Sequence, residues 1–197
     1  INSFGTETVA AFGATSRLDQ FAHMPAMSLG LAVSAIAGQN IGAGKNERVR
    51  EVYKWGSILT VSIAAVITIL VMAAPKLVLQ VFSSDSHVLE IGSRYLRIVG
   101  ISYIPFALMF VTNGILRGAG DTILPMVFSI VSLWLIRVPL AKYLSSFSSL
   151  GNNGVWIAIS VSSVITMLCS QVYYATGRWK KHVIIKRDTT KDGTKAE

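Results

Sequence analysis

The chain has little charge and almost no cysteine. Only 14% of its 197 residues are Asp, Glu, Lys or Arg, whereas soluble domains carry about 25%. The single cysteine, Cys169, excludes a disulfide framework within the chain. The histidines at 23, 87 and 182 lie on separate predicted elements, without the spacing of metal ligands. The sequence therefore argues against a disulfide-stapled or metal-binding soluble domain.

The sequence also lacks a catalytic constellation. The stretch GQNIGAGKN resembles a phosphate-binding loop, but that motif requires Gly where Gln39 stands and Ser or Thr where Asn46 stands. Paired carboxylates and a nucleophile with an adjacent base are both missing. We therefore expect no enzymatic activity.

Long uncharged runs are what the sequence has instead. Four stretches without Asp, Glu, Lys or Arg cover 20–44, 55–74, 98–116 and 155–176, which are 25, 20, 19 and 22 residues long. A fifth, 122–141, is interrupted only by Arg137. Crossing a bilayer core takes about 20 apolar residues. The sequence thus predicts an all-α integral membrane protein with a bundle of five transmembrane helices.

Glycine-rich and polar segments separate these runs and set the expected boundaries. The transmembrane bundle is expected over residues 1–177, with helices at about 8–40, 50–74, 88–117, 122–145 and 153–177. In the turn RGAGD at 117–121, Asp121 is expected to cap the next helix. The basic tail, 178–197, is expected to be disordered.

Lys and Arg are unevenly distributed among the connections. One side of the membrane would carry twelve, at positions 45, 48, 50, 54, 117, 178, 180, 181, 186, 187, 191 and 195. The opposite side would carry four at most, at positions 76, 94, 97 and 142. The positive-inside rule then predicts a multi-pass protein of the cell (inner or plasma) membrane with a cytoplasmic C-terminus. Orientation and contact with the lipid bilayer explain the net charge of +8, and no nucleic-acid partner is expected.

One face of the first predicted helix is polar. At 100° per residue, four side chains fall within about 40° of Ser16 on the helix: Gln20, His23, Met27 and Ser34. Polar side chains inside membranes usually face a bundle interior or a water-filled cavity, although helix packing alone would also account for them. The same helix carries small residues at every fourth position, a spacing that allows close helix approach: Gly30, Ser34, Gly38 and Gly42.

Four segments in order resemble the multidrug and toxic compound extrusion (MATE) family. They are FGATSRLDQFAHMPAMSLGLAVSAIAGQNIGAGK at 12–45, YLRI at 95–98, GILRGAGDT at 114–122 and RVPLAKYL at 137–144. The resemblance covers nearly the whole chain up to the tail. It implies most of one six-helix lobe of a twelve-helix transporter that exchanges Na⁺ or H⁺ for amphipathic, often cationic drugs. The basic tail suggests the C-terminal lobe without its opening helix, which makes the missing N-terminal lobe the implied partner.

The sequence departs from the family pattern at one position. Some members carry an aspartate of a cation site in the helix before LRG, where this chain has Phe106, and residues 98–116 contain no acid. Other members place the coupling carboxylate on the opening helix of the first lobe. The coupling ion, Na⁺ or H⁺, therefore stays open, and no cofactor or metal is expected.

Alternating access is the mechanism implied, with a cavity that binds a small amphipathic substrate. The candidate cavity residues are Gln20, His23, Met27, Tyr103 and Asn113. The flexible thioether of a methionine suits irregular partners.

Three ionisable residues are candidates for an ion pair or for coupling: Arg17, Asp19 and Arg137. Arg17 and Asp19 are two residues apart and point to different sides of a helix. Counting along the helices places Asp19 and Arg137 near the same membrane boundary, so we expect them to pair across helices. His23, four residues after Asp19, can meet it, and would be either a sensor of external acid or a neutral hydrogen-bonded histidine.

Two other functions remain open on the sequence. A flippase for a lipid-linked precursor would favour a more basic cavity than Arg17 and Arg137 offer. A non-transporting membrane scaffold would use the polar stripe only for helix packing.

Overall fold

The computed structural model describes residues 5–146 and 151–182, which are helical apart from short connections. The helices in chain order are α1 (Thr6–Gly42), α2 (Asn46–Ala73), α3 (Pro75–Gln80), α4 (Ser86–Val99), α5 (Tyr103–Gly118), α6 (Ile123–Val131), α7 (Val138–Ser145) and α8 (Asn152–Thr176). A 3-10 segment, Gly100–Ser102, joins α4 to α5, and a π-helical segment, Ser132–Arg137, joins α6 to α7.

Five helical spans are long and apolar enough to cross a membrane: Thr6–Gly42, Asn46–Ala73, Ser86–Gly118, Ile123–Ser145 and Asn152–Thr176. The predicted bundle of five transmembrane helices is thereby confirmed. The bounds lie within a few residues of those expected, because the glycine-rich and polar segments between the uncharged runs end the helices.

The beginning of the tail departs from the prediction. Residues Arg178–His182 form a short 3-10 helix rather than a disordered segment. The physical reason is Trp179, which is only 3% exposed and donates its Nε1–H to the carbonyl of Tyr174 at 3.0 Å. Residues 183–197, the rest of the expected tail, lie outside the described residues.

Two spans change helix type near their middle. Between α4 and α5, the Thr68 hydroxyl donates to the Gly100 carbonyl at 3.1 Å and helps to satisfy the backbone where the α-helical pattern stops. Between α6 and α7, Pro139 has no N–H to offer the carbonyl of Leu135, and its ring crowds that carbonyl. The widened π-helical turn lies directly before this proline.

Helix α1 packs most extensively against α5, and small residues make the contact possible. A Cβ added to Gly114 would lie 2.5 Å from the Gly30 carbonyl oxygen, and one added to Gly118 would lie 2.6 Å from the Ser34 carbonyl oxygen. The ladder on α1 thus meets a second one on α5, as its spacing indicated.

The basic end of the bundle consists of residues 43–50, 117–122 and 177–182. Here Asp121, expected to cap α6, is buried and accepts a hydrogen bond from the Tyr173 hydroxyl at 2.5 Å. The cap position of α6 is Thr122, which makes no side-chain cap bond. That expectation was wrong because α8 lies close enough for its Tyr173 to hydrogen-bond the carboxylate instead.

Candidate functional site

A carboxylate inside the first span is held by two tyrosines. The Tyr103 hydroxyl donates to Asp19 Oδ1 at 2.6 Å, and the Tyr95 hydroxyl donates to Asp19 Oδ2. Both tyrosines are 2% exposed. They lie on either side of the 3-10 segment, so α4 and α5 each supply one hydroxyl to α1. Both carboxylate oxygens thus have a donor, which lowers the cost of placing the group away from water.

The expected pair between Asp19 and Arg137 does not form. Within residues 5–146 and 151–182 the one ion pair joins Arg94 to Glu90, at 2.5 Å on the exposed face of α4. The guanidinium of Arg137 instead donates from Nε to Ser162 Oγ at 2.8 Å. The prediction was wrong because the π-helical segment packs Arg137 against α8, while tyrosine hydroxyls already occupy Asp19.

His23 lies among aromatic rings rather than beside Asp19. Its imidazole stacks on Phe106, with ring centroids 3.9 Å apart, and meets Tyr103 edge-on at 5.3 Å. Phe106 is the position at which some family members carry an aspartate. A ring there explains the orientation of His23, because aromatic groups prefer offset-stacked and edge-to-face contacts.

The remaining sequence candidates are spread over α1 and α5. Gln20 and Met27 are exposed on α1, whereas Asn113 is buried on α5 and its Oδ1 has no hydrogen-bond partner among the described residues. Arg17 is exposed and makes no hydrogen bond or ion pair with the described part of the chain. The structure therefore links Asp19 and His23 through Tyr103. It leaves outside these contacts four other candidates: Arg17, Gln20, Met27 and Asn113.

A second polar site lies beside the π-helical segment. A cavity of about 180 Å³ opens between α5, the π-helical segment and α8, and its lining includes Phe106, Ser129, Ser132, Arg137, Ser163 and Thr166. We call it the Arg137 cavity. Phe106 belongs to both sites, since one side of it contacts His23 and it also lines the cavity.

The sequence analysis missed the hydroxyl groups around Arg137, of which Ser162 Oγ accepts its hydrogen bond. Ser132 donates to the Ser162 carbonyl at 3.0 Å, and Thr166 donates to Ser132. A signal was present in α8, where Ser162, Thr166 and Ser170 recur at every fourth position and are all buried. A stripe of hydroxyls within a span indicates a polar helix interface. Across the described residues, no group of three or more His, Cys, Asp and Glu side chains is arranged to hold a metal ion.

Five membrane spans around a tyrosine-bound carboxylate and an intramembrane arginine define a polytopic helical membrane protein with polar sites in its interior. The MatE family model matches residues 1–143, and the chain belongs to this family.

Similar proteins include the probable multidrug resistance protein YpnP of Bacillus subtilis, which is 34% identical over 91% of this chain and 40% of its own length. The probable multidrug resistance protein NorM of Thermotoga maritima is 27% identical over 95% of this chain and 40% of its own. The fold matches a MATE crystal structure in the bent conformation, with a TM-score of 0.84 and 24% identity over 90% of this chain and 40% of that one. The chain thus spans about 40% of the length of these relatives.

Proposed function

We propose that this chain is one lobe, the C-terminal one, of a secondary active transporter that exports amphipathic, often cationic drugs in exchange for Na⁺ or H⁺. Membership of the MatE family supports multidrug export, as do the names of the two bacterial relatives, both probable multidrug resistance proteins. The partner lobe would be the part of the transporter that this chain does not cover.

The observation that carries the proposal is which groups bind the Asp19 carboxylate. Its carboxylate lies within a membrane span, and its hydrogen-bond partners are neutral hydroxyls rather than a cation. A carboxylate neutralised by arginine would be a structural clamp. One held by hydroxyls can still take up a proton or a sodium ion, and ionisable groups of this kind inside spans mark ion pathways in transporters.

Alternating access then requires this lobe to rock against its partner around a shared site. The α1 face next to Asp19 suits such a site, because the exposed Gln20 and Met27 provide a polar and an adaptable contact. Ion uptake at Asp19 would bias the lobes toward one orientation. With the basic end in the cytoplasm of the cell, as the positive-inside rule predicts, export would move the drug away from that end.

The test is a chimera in which residues 1–197 replace the matching segment of YpnP. In cells, intact YpnP is the positive control and an empty vector the negative one. We expect the chimera to lower ethidium accumulation, and collapse of the proton or the sodium gradient to identify the coupling ion. Asp19→Asn should abolish extrusion, whereas Glu90→Gln, an exposed acid on α4, should not.

Two outcomes contradict the proposal. A chimera that inserts at the level of YpnP and leaves ethidium accumulation unchanged argues against an exporting lobe. Full extrusion by the Asp19→Asn chimera removes Asp19 from coupling.

A further inference from the structure

The Arg137 guanidinium has unused hydrogen-bonding capacity inside the membrane. Of the five N–H donors of an arginine, the Nε–H bonds to Ser162 Oγ at 2.8 Å. The Nη groups make no hydrogen bond or ion pair with the described residues. A charged group in a span is costly unless it is paired, so these donors call for an acceptor that residues 5–146 and 151–182 do not supply.

The lining of the Arg137 cavity favours an anion over a cation. Its one charged lining residue is Arg137, and its other polar groups are hydroxyls, including those of Ser129, Ser132 and Ser163. Among the described residues, no carboxylate lines it. These three hydroxyls donate to the carbonyls of their own or a neighbouring helix, so the free donors toward the cavity are the Nη groups of Arg137. A cation in the cavity would be repelled by this guanidinium. A guanidinium with free Nη groups also matches the two oxygens of a carboxylate.

The apolar part of the lining indicates what carries the anion. Phe106 and Met109 form one wall of the cavity. Phe106 is fixed by stacking on His23, so an aromatic or alicyclic body can pack against a surface that is already ordered. The π-helical turn gives the cavity its shape, and such turns occur frequently at functional sites.

We propose that the Arg137 cavity binds the carboxylate of an amphipathic molecule. The bound molecule is a substrate only if the proposed export function holds, so substrates would then include carboxylate-bearing amphiphiles as well as cations. The binding step stands by itself and can be measured without transport.

The experiment uses the chimera of residues 1–197 with the rest of YpnP in nanodiscs of phosphatidylcholine, which carry no net lipid charge. Binding of 2-naphthoate is measured by equilibrium dialysis, with empty nanodiscs subtracted, and is compared with naphthalene-2-methanol and with 2-naphthylmethylammonium. We expect 2-naphthoate to bind about tenfold or more tightly than either, the gain expected from hydrogen bonds between charged groups. Arg137→Gln should remove that preference.

Matched variants separate naphthoate binding at this site from its general attraction to the positive charge of the protein. Arg97→Gln removes an exposed arginine of α4 and should leave naphthoate binding unchanged. Ser162→Ala keeps the charge of Arg137 but frees its Nε, and should weaken binding severalfold. If Arg137→Gln fails to fold, Arg137→Lys decides, because a lysine keeps the charge but loses the two-point contact and should bind naphthoate less tightly than wild type.

Three results would overturn the proposal. One is equal affinity for naphthoate and the neutral alcohol. Another is naphthoate binding that Arg137→Gln and Arg137→Lys leave unchanged. The third is Arg137-dependent naphthoate binding that is lost when phosphatidylglycerol nanodiscs replace phosphatidylcholine ones. The cavity would then hold the phosphate of an anionic lipid. Carboxylate binding without dye extrusion by the chimera would keep the site and reject the export function.

Discussion

Asp19 shows how hydrogen bonds stabilise a single carboxylate inside a membrane. An ionised carboxylate without partners costs far more in lipid than in water. Tyr95 and Tyr103 each supply one hydroxyl to it and stay neutral themselves. Their rings also belong to the apolar cluster at this end of the bundle, together with Leu96 and Trp156. The same two residues therefore bind the carboxylate and exclude water from it.

Removing one of these hydroxyls should destabilise the bundle. For Tyr103→Phe we expect a loss of about 1 to 2 kcal/mol in the free energy of unfolding, because a hydrogen bond to a charged group is lost while the ring is kept. Unfolding by SDS in mixed micelles measures it. The control is Tyr174→Phe, whose hydroxyl has no hydrogen-bond partner in the described part of the chain although its ring stacks on Tyr53 and Trp179. Equal stability of the two variants would contradict the assignment.

The sequence could identify Asp19 but not its partners. Tyr95 and Tyr103 are 76 and 84 positions away, whereas helical spacing relates only residues three or four apart. Counting residues along helices suggested a similar depth in the membrane for Asp19 and Arg137, and from that depth a pair. Depth does not fix the direction in which a helix turns its side chains, and here Arg137 is turned toward Ser162.

At the scale of elements, the contact between α1 and α5 depends on the absence of side chains. The α5 glycines face backbone carbonyls of α1, which cannot move aside as a side-chain end would. Lipid supplies no hydrophobic drive between helices, so close backbone packing and interhelical hydrogen bonds hold them together.

Adding a methyl group at this contact should separate the two helices. Gly114→Ala and Gly118→Ala should each destabilise the bundle by about 1 to 3 kcal/mol, the usual cost of overpacking. The matched control is Gly13→Ala on α1, where an added Cβ meets nothing within 4 Å. Because alanine favours a helix over glycine, that control should be neutral or slightly stabilising. SDS unfolding of all three variants tests this, and equal effects at positions 13 and 114 would contradict it.

The elements differ in how well the sequence predicts them. The five spans follow from the lengths of the uncharged runs, since a bilayer of fixed thickness demands them. The π-helical segment Ser132–Arg137 does not, because hydropathy carries no information on which carbonyl each N–H reaches. Pro139 was its one local signal, and a proline is compatible with a kink, a turn or a π-helical segment alike.

The basic connections of the whole bundle lie at one end, and this predicts its orientation in the membrane. Trp179, Val49 and Ala119 share one apolar cluster, so the three basic connections meet at one end. Orientation can be measured in a Cys169→Ser background, which removes the one native thiol. We expect an impermeant maleimide to label Ser84→Cys on intact cells and Thr122→Cys only after lysis, both positions being exposed. Labelling of Thr122→Cys on intact cells would contradict the orientation.

Residues 1–197 should not transport drugs by themselves. The chain spans about 40% of the relatives that it matches, and alternating access needs a second lobe to close the cleft. Without it, the polar groups of α1 such as Gln20 would face lipid, which is costly, so the chain should insert and then associate or be degraded. Ethidium accumulation in cells expressing residues 1–197 should equal that of the empty vector. Co-expression of the rest of YpnP as a separate chain should lower it, provided that both chains reach the membrane. Robust extrusion by residues 1–197 alone would contradict the single-lobe proposal and favour a pump made of two copies of this chain.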